Sequence, residues 1–197
     1  MMLRYLVFLL ILVGCQSGTD LTIKGHLPDT STDGAWIFLV PLENASKERV
    51  DSVMIANGAF QFKGSAEVPE IYIIRAKPVL RLTLQELLVV KEPGELIVNI
   101  GKNSSAGGTA LNDSLQHWKE TKMMADYLHE ELWQKFKTAD VAEQAVIKQK
   151  SDSLNARMVD FHYNFVRHNQ DNIVGKFVNK MIGDSFSPEQ KKSLNLK

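Results

Sequence analysis

Beyond Cys15 the 197-residue chain has no cysteine. One thiol cannot form an intrachain disulfide, a multi-thiolate metal site or a C-x-x-C redox pair, so all three are excluded. Net charge is missing too, because 23 Lys and Arg offset 23 Asp and Glu. Removal of residues 1–14 would take away only Arg4 and leave the chain at −1. A near-neutral chain has no field with which to attract nucleic acid or anionic lipid, and neither is expected as a partner. Neither G-x-x-x-x-G-K-[ST] nor G-x-G-x-x-G occurs, so no phosphate cradle and no cofactor are expected. Long apolar runs are scarce as well. The one at the front, Tyr5 to Gly14, has about half of the ~20 residues that a membrane-spanning helix needs.

That run sits behind Arg4 and the amino terminus and closes on Leu12-Val13-Gly14-Cys15. A positive start, a short apolar stretch and small residues before a cut make a signal peptide. Leu-x-Gly-Cys at its end resembles the bacterial lipobox, which implies cleavage after Gly14 and acylation of Cys15. The competing possibility is an ordinary secretory leader with an incidental Cys. Two or three acyl chains, at ~0.8 kcal/mol per buried CH₂, hold a protein to a membrane stably. Gln16 stands where some bacteria use Asp to retain lipoproteins at the inner membrane, and only Asp20 is acidic shortly after the Cys. The expected location is therefore the cell envelope, anchored to the outer membrane by lipid on Cys15 and facing the periplasm. Residues 1–14 read as a lipoprotein signal peptide and 15–20 as a lipidated linker.

From Leu21 to Gly101 short alternating or β-branched runs are separated by Gly, Pro, Asn and Asp, the punctuation of an antiparallel β domain over 21–101. Eight strands are expected: 21–27, 35–42, 49–55, 59–63, 70–75, 79–84, 87–90 and 96–100. Asn57-Gly58 between two of them tolerates the positive φ angles of a type I′ hairpin turn. Eight short strands imply a sandwich or a curved meander.

After a Gly-rich stretch from Gly101 to Gly108 the period becomes helical, and 109–197 reads as a helical segment of three to four helices that packs on the β domain or forms a stalk. Leu111, Leu115, Trp118, Ala125, Leu128, Leu132 and Phe136 share one face of the first helix, with Thr109 or Asn112 as its N-cap. A second helix runs from about Asp140 to His168 with Leu154, Met158, Phe161 and Phe165 on its stripe. Asn172 caps a third, and Ser187-Pro188-Glu189-Gln190 is a capping box that opens a short fourth. The fold class is α+β.

"LTIKGHL", "AWIFLVPL", "DSVMIANGAFQFKG", "LLVVKEPGELIVNI", "GGTALNDSLQHW", "DNIVGKFVNKMI" and "FSPEQKKSL" together span most of 21–194. In this order they resemble a domain of unknown function found in exported Bacteroidetes proteins, often N-terminal to TlpA- or ResA-like thiol-disulfide oxidoreductase domains. In the longer relatives a helix like the one from Ser187 leads into a thioredoxin-like domain with a W-C-x-x-C motif. This sequence stops at Lys197 without that motif, so the resemblance implies no redox chemistry and no catalytic residue here. A second expectation follows: the fourth helix lacks its usual neighbour, and Leu194 and Leu196, with Phe177 or Met181, offer an exposed apolar stripe to a partner.

Candidate sites are sparse. His129-Glu130-Glu131-Leu132-Trp133 begins like H-E-x-x-H, but Trp133 occupies the place of the second zinc ligand. His26, His117, His162 and His168 likewise read as solvent-facing or hydrogen-bonded structural histidines, and no metal site is expected. Trp36, Trp118, Trp133, Tyr72, Tyr127 and the Phe161–Phe165 pair could line a groove, yet they fall on stripes that helices and strands must bury, so core is the expectation. Asp51-Ser52-Val53, Asp113-Ser114-Leu115 and Asp152-Ser153-Leu154 resemble a short glycosylation motif. The only site residue put forward is Cys15, for lipidation. The expected function is that of a non-catalytic interaction or accessory module whose partner is an envelope protein or another copy of itself. The alternative is an enzyme or solute-binding protein with its site between the β and helical parts.

Overall fold

The computed structural model of the chain describes residues 18–76 and 87–194. The leader with Cys15, the expected strand 79–84 and Leu196 lie outside these residues. Alternation builds β1 (Asp20–His26), and β2 (Trp36–Pro41), β3 (Asp51–Met54), β4 (Ala59–Ser65), β5 (Glu70–Arg75), β6 (Leu87–Lys91), β7 (Gly94–Asn99) and β8 (Ser105–Gly107) follow. They form two four-stranded sheets, ordered β4-β1-β7-β8 and β3-β2-β5-β6. Among the described residues every strand pairing is antiparallel except that of β1 with β7. Ile23, Phe62, Leu96 and Val98 of the first sheet meet Leu39, Ile74 and Val89 of the second, so the β part is a sandwich with a buried apolar centre.

Its second sheet is buried on both faces. Ile71 and Val90 turn away from the sandwich core and join Leu115, Trp118, Phe165, Val166, Val174 and Val178 in a second apolar cluster. Burial on both sides explains why β5 and β6 read as continuous apolar runs rather than alternating ones. The α+β architecture expected from the sequence is therefore observed, as three layers of sheet, sheet and helices.

Three local expectations need correction. Asn57 and Gly58 do have positive φ, 54° and 64°, and the Asp33 carboxylate accepts both of their N–H groups at 2.7 and 2.9 Å. The flanking strands nevertheless do not continue as a hairpin, because β3 pairs with β2 while β4 pairs with β1. Both carry inward apolar residues for the same core, so the chain crosses between sheets at this turn. A 3₁₀ turn, Lys47–Arg49, occupies the start of the expected third strand. Ser105–Gly107, within the Gly-rich stretch, is β8 and pairs with β7.

The helices are α1 (Ala110–Thr138), α2 (Val141–His168), α3 (Ile173–Ile182) and α4 (Pro188–Ser193). Caps at Asn172 and Ser187 are made as expected, Asn172 Oδ1 accepting from the N–H of Val174 and Gly175 and Ser187 from Gln190. At 1.5 Å per residue α1 is about 43 Å long, whereas a strand of six or seven residues covers only about 20 Å. It starts beside Gly94, close to Thr109, at the end of the sandwich where Leu21 pairs with that glycine. Glu120 shares a surface groove with Asn99, at the other end of β7. Thus α1 runs along the sandwich and continues past the end opposite the chain's N-terminal segment, and α2 returns beside it.

Candidate functional site

Two regions join the layers chemically, and a third projects from them. The first is a clasp between β6 and the start of α1. Glu92 Oε1 accepts from Thr109 Oγ1 at 2.6 Å, from the N–H groups of Leu111 and Asn112 at 2.9 and 3.0 Å, and from Asn112 Nδ2 at 3.1 Å. Asn112 also donates to the Val90 carbonyl and accepts the Val90 N–H, both at 2.8 Å, so its amide continues the edge of β6 like another strand. Thr109 holds the N-cap position without a side-chain cap bond. The capping oxygen comes instead from Glu92, whose negative charge suits the helix N-terminus. Further along, Trp118 Nε1 donates to His162 Nδ1 at 3.1 Å. Burial and the nearby Lys122 lower the imidazole pKa while Asp126 raises it, with a net lowering. Burial also pushes the Lys119 ammonium down to about 8, and its Nζ donates to the Leu88 carbonyl at 3.1 Å.

The second region is a cleft of about 230 Å³ between the end of β2, the start of β5 and α3. Leu42, Ile71, Ile173 and Phe177 supply its apolar lining, and Arg49, Lys176 and Lys180 its cations. Arg49 donates to Glu70 Oε2 at 2.8 Å and to the carbonyls of Glu43 and Asn44. Lys180 pairs with Glu43 Oε1 at 2.5 Å across the mouth, which holds the Glu43 carboxyl below its usual range. Two of the three cations are thus already answered by the cleft's own carboxylates.

The third region is the distal part of the α1–α2 pair. Buried side chains end at Ala125 on α1 and resume at Leu154 on α2, and no residue of 126–153 is buried. Met124, Tyr127, Leu128, Trp133, Val141 and Val146 are all exposed, with Trp133 at 55 %. Trp133 stacks on Phe136 with ring centroids 6.0 Å apart, and Lys137 Nζ lies over its face at 5.5 Å. Charge pairs along the helices, Lys122 with Asp126 and Glu131 with Lys135, support the arm from within.

This arrangement overturns part of the core expectation. Trp118 and Tyr72 are buried, but Trp36, Tyr127 and Trp133 are about half exposed or more. Periodicity placed Leu128, Leu132 and Phe136 on a stripe, yet past Ala125 the stripe meets only the other helix. Among the histidines, His162 is buried and bonded, His129 Nδ1 lies 3.5 Å from Ser151 Oγ, His168 Nδ1 contacts the Asn164 carbonyl, and His26 and His117 are exposed. His129, Ser151 and Asp152 share one groove. They sit mid-helix, where backbone N–H groups are committed to the helix and cannot form an oxyanion hole. Ser52 and Ser153 are exposed, whereas Ser114 donates to Asn169 Oδ1 at 3.1 Å. Leu194 is half-buried against the second apolar cluster, beside buried Phe186, so the exposed stripe expected at the C-terminus does not include it. The sequence offered no signal for Glu92 or Arg49, and it offered Asn112 only as an alternative N-cap, a position that Thr109 holds.

The family comparison covers the sandwich and the clasp. Residues 21–115 match the family model of DUF4369, a domain of unknown function. The matched DUF4369 stretch is just under half of the chain, runs from Leu21 to Leu115, and takes in the eight described strands apart from Asp20 at the start of β1, together with Glu92 and Asn112. The arm lies beyond it. No curated protein and no solved structure matches the chain.

Proposed function

We propose that this DUF4369-containing chain is a lipid-anchored cell-envelope interaction module without catalytic activity, which presents the α1–α2 arm to a protein partner. The arm is the observation that carries the proposal. Two helical segments of about 14 residues are marginal in water on their own, and these expose five large apolar side chains while burying none of residues 126–153. Apolar surface of this kind marks an interaction site, and an exposed Trp is a typical anchor for one.

Anchorage at Cys15 fits the same geometry. Only Gln16 to Thr19 separate Cys15 from β1, so the sandwich sits within about 20 Å of the lipid, at ~3.5 Å per extended residue. The arm leaves from the opposite end and points away from that membrane, toward the periplasm if the lipid is in the outer membrane. No helix among the described residues is long and apolar enough to cross a bilayer. Labelled fatty acid should enter the protein, and Cys15→Ser should abolish it; undiminished labelling of that variant would remove the anchor from the proposal.

The alternative, a ligand site at the junction of the β and helical parts, has the 230 Å³ cleft in its favour. Its Arg49 and Lys180 are held by Glu70 and Glu43, and a ligand would have to displace those pairs. To test the arm, residues 126–153 are replaced by a short turn joining Ala125 to Leu154. The shortened chain should keep its cooperative unfolding, since both core clusters survive, and should lose every chemical crosslink that the intact chain makes to protein in the envelope. Retention of the same crosslinks would refute the arm as the binding element.

A further inference from the structure

Resting on the arm as the interaction element, we infer that its partner is a second copy of this chain. The two arms join through their outer flanks into a four-helix bundle whose twofold axis runs along the helices.

The flank concerned lies away from the sandwich. Leu111, Leu115 and Trp118 of α1 face the sandwich side, and Met124 and Leu128 are turned well away from them at 100° per residue. There a groove of about 530 Å³ runs between the helices, floored by Ala125, Leu154, Met158 and Phe161 and edged by Met124 and Leu128. Met124 is 61 % exposed, Leu128 42 % and Val146 51 %. Toward the tip the same helical spacing continues the flank from Leu128 to Glu131 and Lys135, at i+3 and i+7. On α2 it continues back from the groove's Arg157 to Lys150, Val146 and Glu143.

Two contacts fix the level of one helix against the other. Trp118 meets His162 and His129 meets Ser151, so position n of α1 is level with position 280 − n of α2. A twofold axis parallel to the helices lays α1 of one copy on α2 of the other at the same level. Glu131 then meets the other copy's Lys150, one residue from level, and Lys135 meets its Glu143, two residues from level. Each pair is of opposite sign, and symmetry repeats both. Met124 and Leu128 are level with the other copy's groove around Leu154, where each covers apolar surface that the other exposes.

Chemistry and geometry favour a copy of the chain over other occupants. A bilayer is disfavoured because the flank mixes Glu131 and Glu143 with Lys135 and Lys150, whereas membrane-surface helices present a basic polar face. The arm also points away from the end that carries the N-terminal segment. A twofold axis along the arms keeps both N-terminal segments on one side, as two chains anchored in one membrane require. Opposite charges at matching levels on the two helices of one hairpin are the pattern that a copy of itself satisfies.

The test uses the intact chain, purified in detergent and followed by sedimentation over a range of protein concentrations. A dimer is expected. Glu131→Lys with Lys135→Glu preserves the pair within α1 but reverses its surface, and should weaken the dimer about tenfold or more. Adding Lys150→Glu, which leaves the capping box of Asp140 and Glu143 at the start of α2 intact, should restore most of the lost association, a rescue that a purely structural effect would not give. A dimer indifferent to the first pair of changes, or unrestored by the added one, would overturn this arrangement. A chain that stays monomeric while its arm crosslinks to a different envelope protein would overturn self-pairing and leave the proposed function standing. A monomer whose arm crosslinks to nothing would overturn both.

Discussion

Glu92→Ala is expected to lower the free energy of unfolding by about 4 kcal/mol, the largest loss of any single substitution considered for this protein. One carboxylate oxygen accepts four hydrogen bonds, from the Thr109 hydroxyl, the N–H groups of Leu111 and Asn112 and the Asn112 amide. Glu92 is 8 % exposed and Asn112 2 %, so water cannot replace the lost acceptor without opening the joint between β6 and α1. A buried donor left without a partner costs roughly 1–3 kcal/mol, more than the net gain from making the bond. Glu92→Gln keeps an acceptor oxygen of the same reach and loses only the charge at the helix N-terminus, so its cost should be about 1–2 kcal/mol. Equilibrium urea unfolding of the three proteins reads both values. Equal losses for Ala and Gln would show that the charge, and not the set of four bonds, holds the clasp.

The second large effect is expected at Gly175, where a usually favourable change should be harmful. Glycine inside a helix costs about 1 kcal/mol relative to alanine, so Gly175→Ala in α3 would ordinarily stabilise. A Cβ there would stand 2.1 Å from the Asn169 carbonyl oxygen and 2.4 Å from its carbon. Both are backbone atoms of the turn between α2 and α3, and that turn is tied down. Asn169 N–H bonds the Phe165 and Val166 carbonyls, and its carbonyl accepts from the Asn172 N–H. To make room α3 must slide over the cluster that Val174 and Val178 fill at 0 % exposure. Such overpacking costs typically 1–3 kcal/mol and here exceeds the helix gain, for a net loss of about 2 kcal/mol. A thermal midpoint at or above that of the unaltered chain would contradict the close approach of α3 to this turn.

Much of the layered fold was readable because its signals are local. Asn57-Gly58 reports a turn, Asn172 and Ser187-Pro188 report helix starts, and the change from period two to period 3.6 after Gly108 separates sandwich from helices. Where the sequence misled, the deciding contact was distant in the chain. Glu92 follows Lys91 and precedes Pro93-Gly94, and by type and setting it reads as an exposed turn charge. Only the return of Asn112 to the edge of β6 makes it a buried acceptor. Asn57-Gly58 looks like the centre of a hairpin, and the crossing between sheets depends on which strands β3 and β4 find. The arm is the clearest case. Leu132 and Phe136 carry the same periodicity as Trp118 and Ala125, and periodicity alone cannot tell that the sandwich ends before the helix does.

Whether another protein completes the arm can be measured most directly with a photo-reactive residue placed in the intact chain in living cells. It would replace, one position at a time, Tyr127 or Val146 on the arm and Ser52 or Thr22 on the sandwich. The predicted result is protein crosslinks from the two arm positions and none above background from the two sandwich positions. Crosslinks confined to Ser52 or Thr22, with Tyr127 and Val146 silent, would place the interaction on the sandwich and contradict the function proposed for the arm.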